Sequence, residues 1–250
     1  MYPMVHWSSL SDARLIRNGF CVLESVRSSG VIVSPTEKSE YIPALRVNWL
    51  TPYYDSIVAA TTRERTFKHA LIRQTSVGAG ERVLDLACGT GTLAVWLKQA
   101  VPTALVTGVD GDQAILSIAR NKARSANVTV QFDHALSDNL PYPDAYFDRI
   151  VSSLFFHHLN WEAKERTAFE LFRILKPGAE LHVADWGYPK NPLMRCLFYS
   201  IQLLDGFENT GDNVAGRLPE LFRSAHFSEV KQTQTFSTIF GTMALYKAVK

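Results

Sequence analysis

From Arg82 onward the chain alternates short apolar runs with longer stretches in which apolar residues recur at helical spacing. Arg82–Ala87 predicts a strand, Thr92–Ala100 a helix, and Ala104–Asp110 a second strand. Asp112 is placed to cap a helix running to about Arg124. The last turns of that helix carry Arg120, Lys122 and Arg124, where cations suit the negative end of the helix dipole. Val128–Phe132 predicts a third strand, Pro141-Tyr-Pro-Asp144 a turn, and Asp148–Leu154 a fourth strand. Asn160 caps a helix through Leu175, with Ala168, Leu171, Phe172 and Leu175 on one face, and Lys176-Pro-Gly178 ends it. Glu180–Asp185 predicts a fifth strand. Strands and helices alternating at this spacing imply an α/β fold, a parallel sheet with helices on both faces.

The flanks are patterned differently. Pro52–Ser76 predicts a helix with Ile57, Val58, Phe67, Leu71 and Ile72 as its apolar positions, stopped by Gly78-Ala-Gly80. Arg63, Arg65, Lys68 and Arg73 lie on it, and basic residues on a helix ordinarily form its wet face. Residues 1–40 show little pattern, so residues 1–50 are expected to form an N-terminal arm or partial lid and residues 51–250 the main domain. Towards the C-terminus a helix over Pro192–Leu204 is followed by a Gly/Asn-rich loop, Asp205–Gly216, and a short helix at Leu218–Ala225. Glu229–Phe236 and Thr238–Val249 follow each other closely enough to form a hairpin, so one of them runs antiparallel to the rest of the sheet.

Composition adds only bounds. The 250 residues are 46% hydrophobic and 20% charged, ordinary for a globular protein with its own core. A formal net charge of +2 gives no support for a nucleic-acid partner or an acidic membrane surface. Cys21, Cys88 and Cys196 are far apart and suggest neither a disulfide framework nor a zinc site. Charged residues interrupt the start of the chain, and no apolar run reaches the ~20 residues of a membrane span. A cytoplasmic location is expected.

The chemistry concentrates in Val83-Leu-Asp-Leu-Ala-Cys-Gly-Thr-Gly-Thr-Leu-Ala94. An apolar strand enters a tight glycine turn and then a helix. Gly89 and Gly91 allow the backbone to approach a ligand closely, and the helix start offers N–H groups. Gly89-x-Gly91-x-x-Ala94 also fits the dinucleotide fingerprint, with Asp110 at about the expected distance. Asp85 separates the two readings. A carboxylate at the strand tip repels a pyrophosphate and attracts a ligand carrying an ammonium and a sulfonium.

The D-x-A-C-G-T-G segment, with Asp85, Ala87, Gly89 and Gly91, resembles the first motif of the class I S-adenosylmethionine (SAM)-dependent methyltransferases. Val109-Asp110 resembles the acidic end of that family's second strand. Leu140-Pro-Tyr-Pro-Asp-Ala-Tyr-Phe-Asp148 resembles its segment before strand four, and Leu175-Lys-Pro-Gly178 its turn before strand five. The likeness covers about residues 50–250 and is strongest to the branch containing the ubiquinone and menaquinone C-methyltransferases. It implies a Rossmann-like, seven-stranded, mostly parallel sheet of order 3-2-1-4-5-7-6 with the last strand antiparallel. It further implies SAM as cofactor, S-adenosylhomocysteine as product and a small-molecule methyl acceptor. By the same resemblance Asp85, Ala87, Gly89 and Gly91 meet the methionine part of SAM, Asp110 the ribose and Gly111 the adenine. Where the family commonly has an Asp for the adenine amino group this chain has Leu136, so backbone N–H groups of Leu136 or Ser137 are expected to serve the ring. Ser153 and Leu154 border the methyl group. Tyr54 resembles a tyrosine that covers SAM in this branch, a packing aromatic being its other reading.

Methyl transfer is an in-line displacement at an already activated carbon, so it requires no metal, and a base only if the acceptor arrives protonated. No metal site is expected. Candidate catalytic groups lie at the C-terminal strand ends: His157 and His158 after strand four could accept a proton, and Asp185, ending strand five beside Trp186 and Tyr188, could orient an amine or phenol. Each also has a structural reading, cofactor framing for the histidines and loop capping for Asp185. Glu208–Asn213 falls at a usual lid position of this fold. Phe198, Tyr199, Phe207 and Phe222 flank it and would suit an apolar or aromatic acceptor, although each alone reads equally as core. A methyltransferase acting on DNA or RNA amino groups would carry Asp/Asn/Ser-Pro-Pro-aromatic after strand four, where this chain reads Ser152-Ser-Leu-Phe-Phe-His157. A dinucleotide oxidoreductase is disfavoured by Asp85, and a SAM-binding protein without catalysis would carry the same binding residues.

Overall fold

The computed structural model describes residues 63–250, and the expected N-terminal arm and Tyr54 lie outside them. Helix α1 (Glu64–Thr75) leads into a seven-stranded sheet. The elements then run β1 (Arg82–Leu86), α2 (Thr92–Ala100), β2 (Leu105–Asp110), α3 (Gln113–Ser125), β3 (Gln131–His134), β4 (Phe147–Ser153), a 3-10 turn (Phe156–His158), α4 (Trp161–Ile174) and β5 (Leu175–Trp186). Helices α5 (Pro192–Asp205), α6 (Phe207–Val214) and α7 (Leu218–Ser224) precede β6 (Ser228–Thr238) and β7 (Gly241–Val249).

The strand order is β3-β2-β1-β4-β5-β7-β6, as the resemblance implied. β1 pairs in parallel with β2 and β4, and β7 runs antiparallel to both β5 and β6. The order reverses between β1 and β4, the crevice where open α/β sheets take ligands. β1 explains its central place: Val83, Leu84 and Leu86 are all buried, as a strand covered on both faces requires. Alternate residues feed two cores. Val83 joins Phe67 and Leu71 of α1, Leu93 and Leu97 of α2, and Leu116 of α3. Leu84 and Leu86 join Leu171 and Ile174 of α4 and Leu221 and Phe222 of α7. Burying each such side chain contributes about 1.5–3 kcal/mol. Edge strand β6 keeps Lys231, Gln232, Thr233 and Gln234 exposed, which discourages pairing with another chain.

Local chemistry sets the helix starts. Asp112 accepts the N–H groups of Ala114 (2.7 Å) and Ile115 (3.3 Å), Asn160 that of Ala163 (2.9 Å) and Asn191 that of Met194 (2.9 Å). Four expectations change. The described part of the first helix starts only at Glu64, because Arg63 stands at φ 58°. β3 starts at Gln131, three residues later than expected, because its ladder is set by pairing with Thr107–Asp110 while Val128 and Val130 pack on the core without pairing. β5 begins at Leu175, which pairs with Phe147, so Lys176-Pro-Gly178 lies inside an irregular strand start.

The fourth change is the expected loop after α5, most of which is helix α6. Gly206, at φ 93°, breaks the chain between α5 and α6. Thr210 and Asn213 are then fully buried, Asn213 donating to the Trp186 carbonyl and Lys164 donating to the Asn209 carbonyl (2.7 Å). Packing overrides the weak helix propensity of this Gly/Asn-rich stretch, so Glu208–Asn213 is a packed element of the domain, not a lid. Among the described residues no helix is long and apolar enough to cross a membrane.

Candidate functional site

The C-terminal tips of β1, β2, β4 and β5 gather the predicted residues. Asp85 is buried at the end of β1. Its carboxyl takes the Ala94 backbone N–H from α2, and burial pushes its pKa up to about 7 against the lowering influence of Lys68. Its Oδ2 is buried without a hydrogen-bond partner. An orphaned carboxylate oxygen is costly unless a donor or cation reaches it, so this oxygen is able to receive a ligand's positive group.

The turn after β1 is built for close approach. Ala87, Gly89 and Gly91 all have positive φ (52°, 54° and 78°). A Cβ on Gly89 would meet nothing within 4 Å, whereas one on Gly91 would lie 2.9 Å from Ala119 Cβ. Gly89 therefore presents bare backbone to open space, while Gly91 is bare so that α2 can sit against α3. Asp110 closes the turn from the next strand: Oδ2 accepts the Gly89 N–H (2.9 Å) and Oδ1 the Asp112 N–H (3.0 Å). Burial raises its pKa, opposed by these bonds. The Gly111 N–H bonds the same carboxylate, and the acceptor capacity these three bonds leave is open to a ligand hydroxyl.

Beyond Asp110 the Gly111 carbonyl accepts from His134 Nε2 (3.0 Å). The half-buried Leu136 bridges to Asn139, and Ser137 turns its hydroxyl to Thr167 on α4 (2.8 Å). Leu154 stands at φ 56° directly after β4, its N–H bound to Ala184. Non-glycine residues held at positive φ after both β1 and β4 are the kind of local strain that collects at ligand sites.

Asp185, His157 and His158 are also brought together. Asp185 is fully buried, and it accepts from Trp186 N (2.7 Å), Phe155 N (3.1 Å) and His157 Nδ1 (2.7 Å). A carboxylate only accepts, so the His157 proton sits on Nδ1 and Nε2 points away, towards Asp205 Oδ2 at 3.7 Å. His158 stacks obliquely on His157 with ring centroids 4.0 Å apart. Burial and that neighbour hold its pKa well below the ordinary imidazole range, so its ring is neutral. Asp185 caps the loop, one of its two sequence readings, and it also orients His157, a contact neither reading contained.

Of the aromatics flanking Glu208–Asn213, two take their core reading. Phe198 packs on Trp186 within one core and Phe222 lies in the other, while Tyr199 and Phe207 are exposed. Two participants escaped the sequence reading. Lys68, grouped with the wet-face cations, is buried and paired with Glu64 (2.5 Å), and its charge acts on Asp85. A buried position within the apolar stripe of Phe67 and Leu71 was the available signal. Asp205, read as the first residue of a loop, is the last of α5 and faces both histidines. No local pattern marks it.

Comparison with known proteins agrees with this geometry. Residues 83–178 match the model of a methyltransferase domain. The chain is 40% identical over 111 residues to the demethylmenaquinone methyltransferase of Thermus thermophilus, covering 44% of this chain and 50% of that protein. It thus spans about half the length of that relative. It is 34% identical over 204 residues to the ubiquinone/menaquinone biosynthesis C-methyltransferase UbiE of Chromobacterium violaceum, covering 74% of this chain and 82% of that one. The crystal structure of a SAM-dependent methyltransferase from Methanosarcina mazei superposes with a TM-score of 0.58 at 22% identity, over 72% of this chain and 96% of that one.

Proposed function

This chain belongs to the family of SAM-dependent methyltransferases that includes the ubiquinone/menaquinone C-methyltransferases, and on that premise we propose that it methylates a small, hydroxylated aromatic acceptor of the quinol kind. The observation that carries the reading is the buried, partnerless Oδ2 of Asp85 beside the bare backbone of Gly89. A pyrophosphate has no use for that oxygen; an amino-acid ammonium does.

When bound, SAM supplies a methyl group already activated by its sulfonium. Asp85 takes the ammonium, and Ala87, Gly89 and Gly91 pass the backbone along the methionine chain. Lys68, whose charge already acts on Asp85, complements the carboxylate carried on the same carbon as that ammonium. Asp110 accepts from the ribose on the acceptor capacity left by the Gly89, Asp112 and Gly111 N–H groups. Gly111 and the Leu136–Ser137 backbone meet the adenine, with Tyr54 as a cover. Ser153 and Leu154 border the transferred methyl. On the acceptor side Asp185 is a positioning residue: its bond to Nδ1 leaves the His157 Nε2 lone pair to receive a hydroxyl proton from an acceptor. His158 and Asp205 complete that polar end, and the product is S-adenosylhomocysteine. The charge and cysteine pattern fit a reaction in the cytoplasm without a nucleic-acid partner.

Thermal-shift titrations with SAM, S-adenosylhomocysteine and NAD test the cofactor, and labelled methyl transfer to a panel of quinols, phenols and amines tests the reaction. Stabilisation by SAM and its product but not NAD, with turnover on the quinols or phenols, is the expected result. Stabilisation by NAD alone overturns the reading, and SAM binding with no turnover on any acceptor leaves a binding protein.

A further inference from the structure

We propose that His157, His158 and Asp205 form a site for a divalent transition-metal ion of the zinc, iron(II) or cobalt(II) type. One ligand atom from each lies within 4.8 Å of the others, and no second group of three such residues occurs among those described. His157 Nε2 lies 3.7 Å from Asp205 Oδ2 and His158 Nδ1 lies 3.9 Å from Asp205 Oδ1. Both separations are too long for hydrogen bonds. They approach the spacing of two ligands on one ion, since metal–ligand bonds of about 2.0–2.1 Å at tetrahedral angles put donor atoms about 3.3–3.5 Å apart.

The surroundings fit a metal. Asp185 accepts the Nδ1 proton of His157 at 2.7 Å, the second-layer carboxylate that fixes a ligating histidine with its free nitrogen facing the ion. That nitrogen looks towards a carboxylate oxygen, an arrangement two lone pairs resist and a cation between them reconciles. Two imidazole nitrogens and one carboxylate oxygen favour transition metals over magnesium or calcium, which prefer all-oxygen sets. Three protein ligands leave a fourth position for water or an acceptor oxygen. This extension rests on the reading of the same strand tips as the acceptor end. A metal there would acidify a coordinated hydroxyl in place of the free imidazole receiving its proton.

Titration of the metal-free full chain with Co2+, followed by visible d–d absorption, and with Zn2+ by calorimetry, tests the site. One equivalent is expected to bind, with tetrahedral Co2+ bands. His158→Ala and Asp205→Asn should each weaken binding at least tenfold. Asp185→Asn should weaken it by about 10–100-fold. Far-UV circular dichroism establishes that each variant is folded, and His158→Gln replaces any that is not. Absent Co2+ bands, or variants that bind as the wild type does, overturn the proposal. SAM affinity measured on the same samples separates the two readings: intact SAM binding without metal binding removes only the metal, and lost SAM binding in the wild type removes the proposed function.

Discussion

The backbone N–H of Gly89 donates to Asp110 Oδ2 at 2.9 Å, tying the glycine turn after β1 to the tip of β2. One carboxylate therefore shapes the turn and, on the proposed function, holds the ribose. Asp110→Ala is expected to weaken SAM binding by at least tenfold. It should also lower stability by about 1.5–3 kcal/mol, the worth of hydrogen bonds to a charged group. Calorimetry and urea unfolding measure the two losses. Unchanged affinity would contradict the site.

Asp85 predicts a pH dependence. Its pKa is raised from an ordinary 3.8 to about 7 by burial, so the free protein holds a proton there that the unfolded chain releases. The stability this gives is present below about pH 4 and is lost as pH rises through about 7. SAM affinity should move the other way, strengthening as the carboxylate ionises. The difference in melting temperature between wild type and Asp85→Asn, taken from pH 5 to 8, measures the first effect, and SAM titrations over the same range the second. A pH-independent affinity would count against Asp85 as the ammonium's partner.

Lys68 should act through the same charge. Lys68→Met removes a cation that lowers the Asp85 pKa, so the pH at which SAM binding strengthens should move upward and affinity at pH 7 should fall several-fold. An unchanged pH midpoint would return Lys68 to a purely structural pairing with Glu64.

Two glycines of one turn should respond differently to alanine. At Gly91 the new Cβ would lie 2.9 Å from Ala119 Cβ and 3.1 Å from Phe132 Cζ, at φ 78°. Gly91→Ala should therefore destabilise the fold by about 2–4 kcal/mol from overpacking and strain together. At Gly89 the Cβ would point into open space at φ 54°, so Gly89→Ala should cost about 1–2 kcal/mol. It should instead lower SAM affinity more than tenfold. Equal stability losses in urea would refute the assignment of separate roles.

Asp185→Asn keeps the shape but loses a charge that accepts three N–H groups. Turnover should fall by more than tenfold while the Kd for SAM stays within about twofold, because the change lies on the acceptor side. The pH profile of kcat should shift with it, since the His157 tautomer is no longer fixed. A loss in SAM affinity equal to the loss in kcat would make Asp185 a support of the cofactor site.

How far the sequence reached depended on whether the signal was local. Thr92–Ala100 was read to the residue, and the caps Asp112 and Asn160 were correct, because an N-cap acts within its own first turn. The Asp85-to-Gly91 segment was legible for the same reason: one strand, one turn and one helix start build it. α6 was missed because its helicity comes from the burial of Thr210 and Asn213 against β5 and the turn after β4, contacts that no window of sequence contains.

The amino-acid order alone settled the strand–helix alternation and the hairpin at the C-terminus, each encoded by neighbours a few residues apart. Only the tertiary fold decided that Lys68 is buried within reach of Asp85, that Asp185 holds His157 by one nitrogen, and that Asp205 faces the other. Those pairs are 17, 28 and 48 residues apart by the chain's own numbering. Distance along a chain carries no charge or hydrogen bond. Such pairs exist only once the strands have set their register and the helices have closed over them.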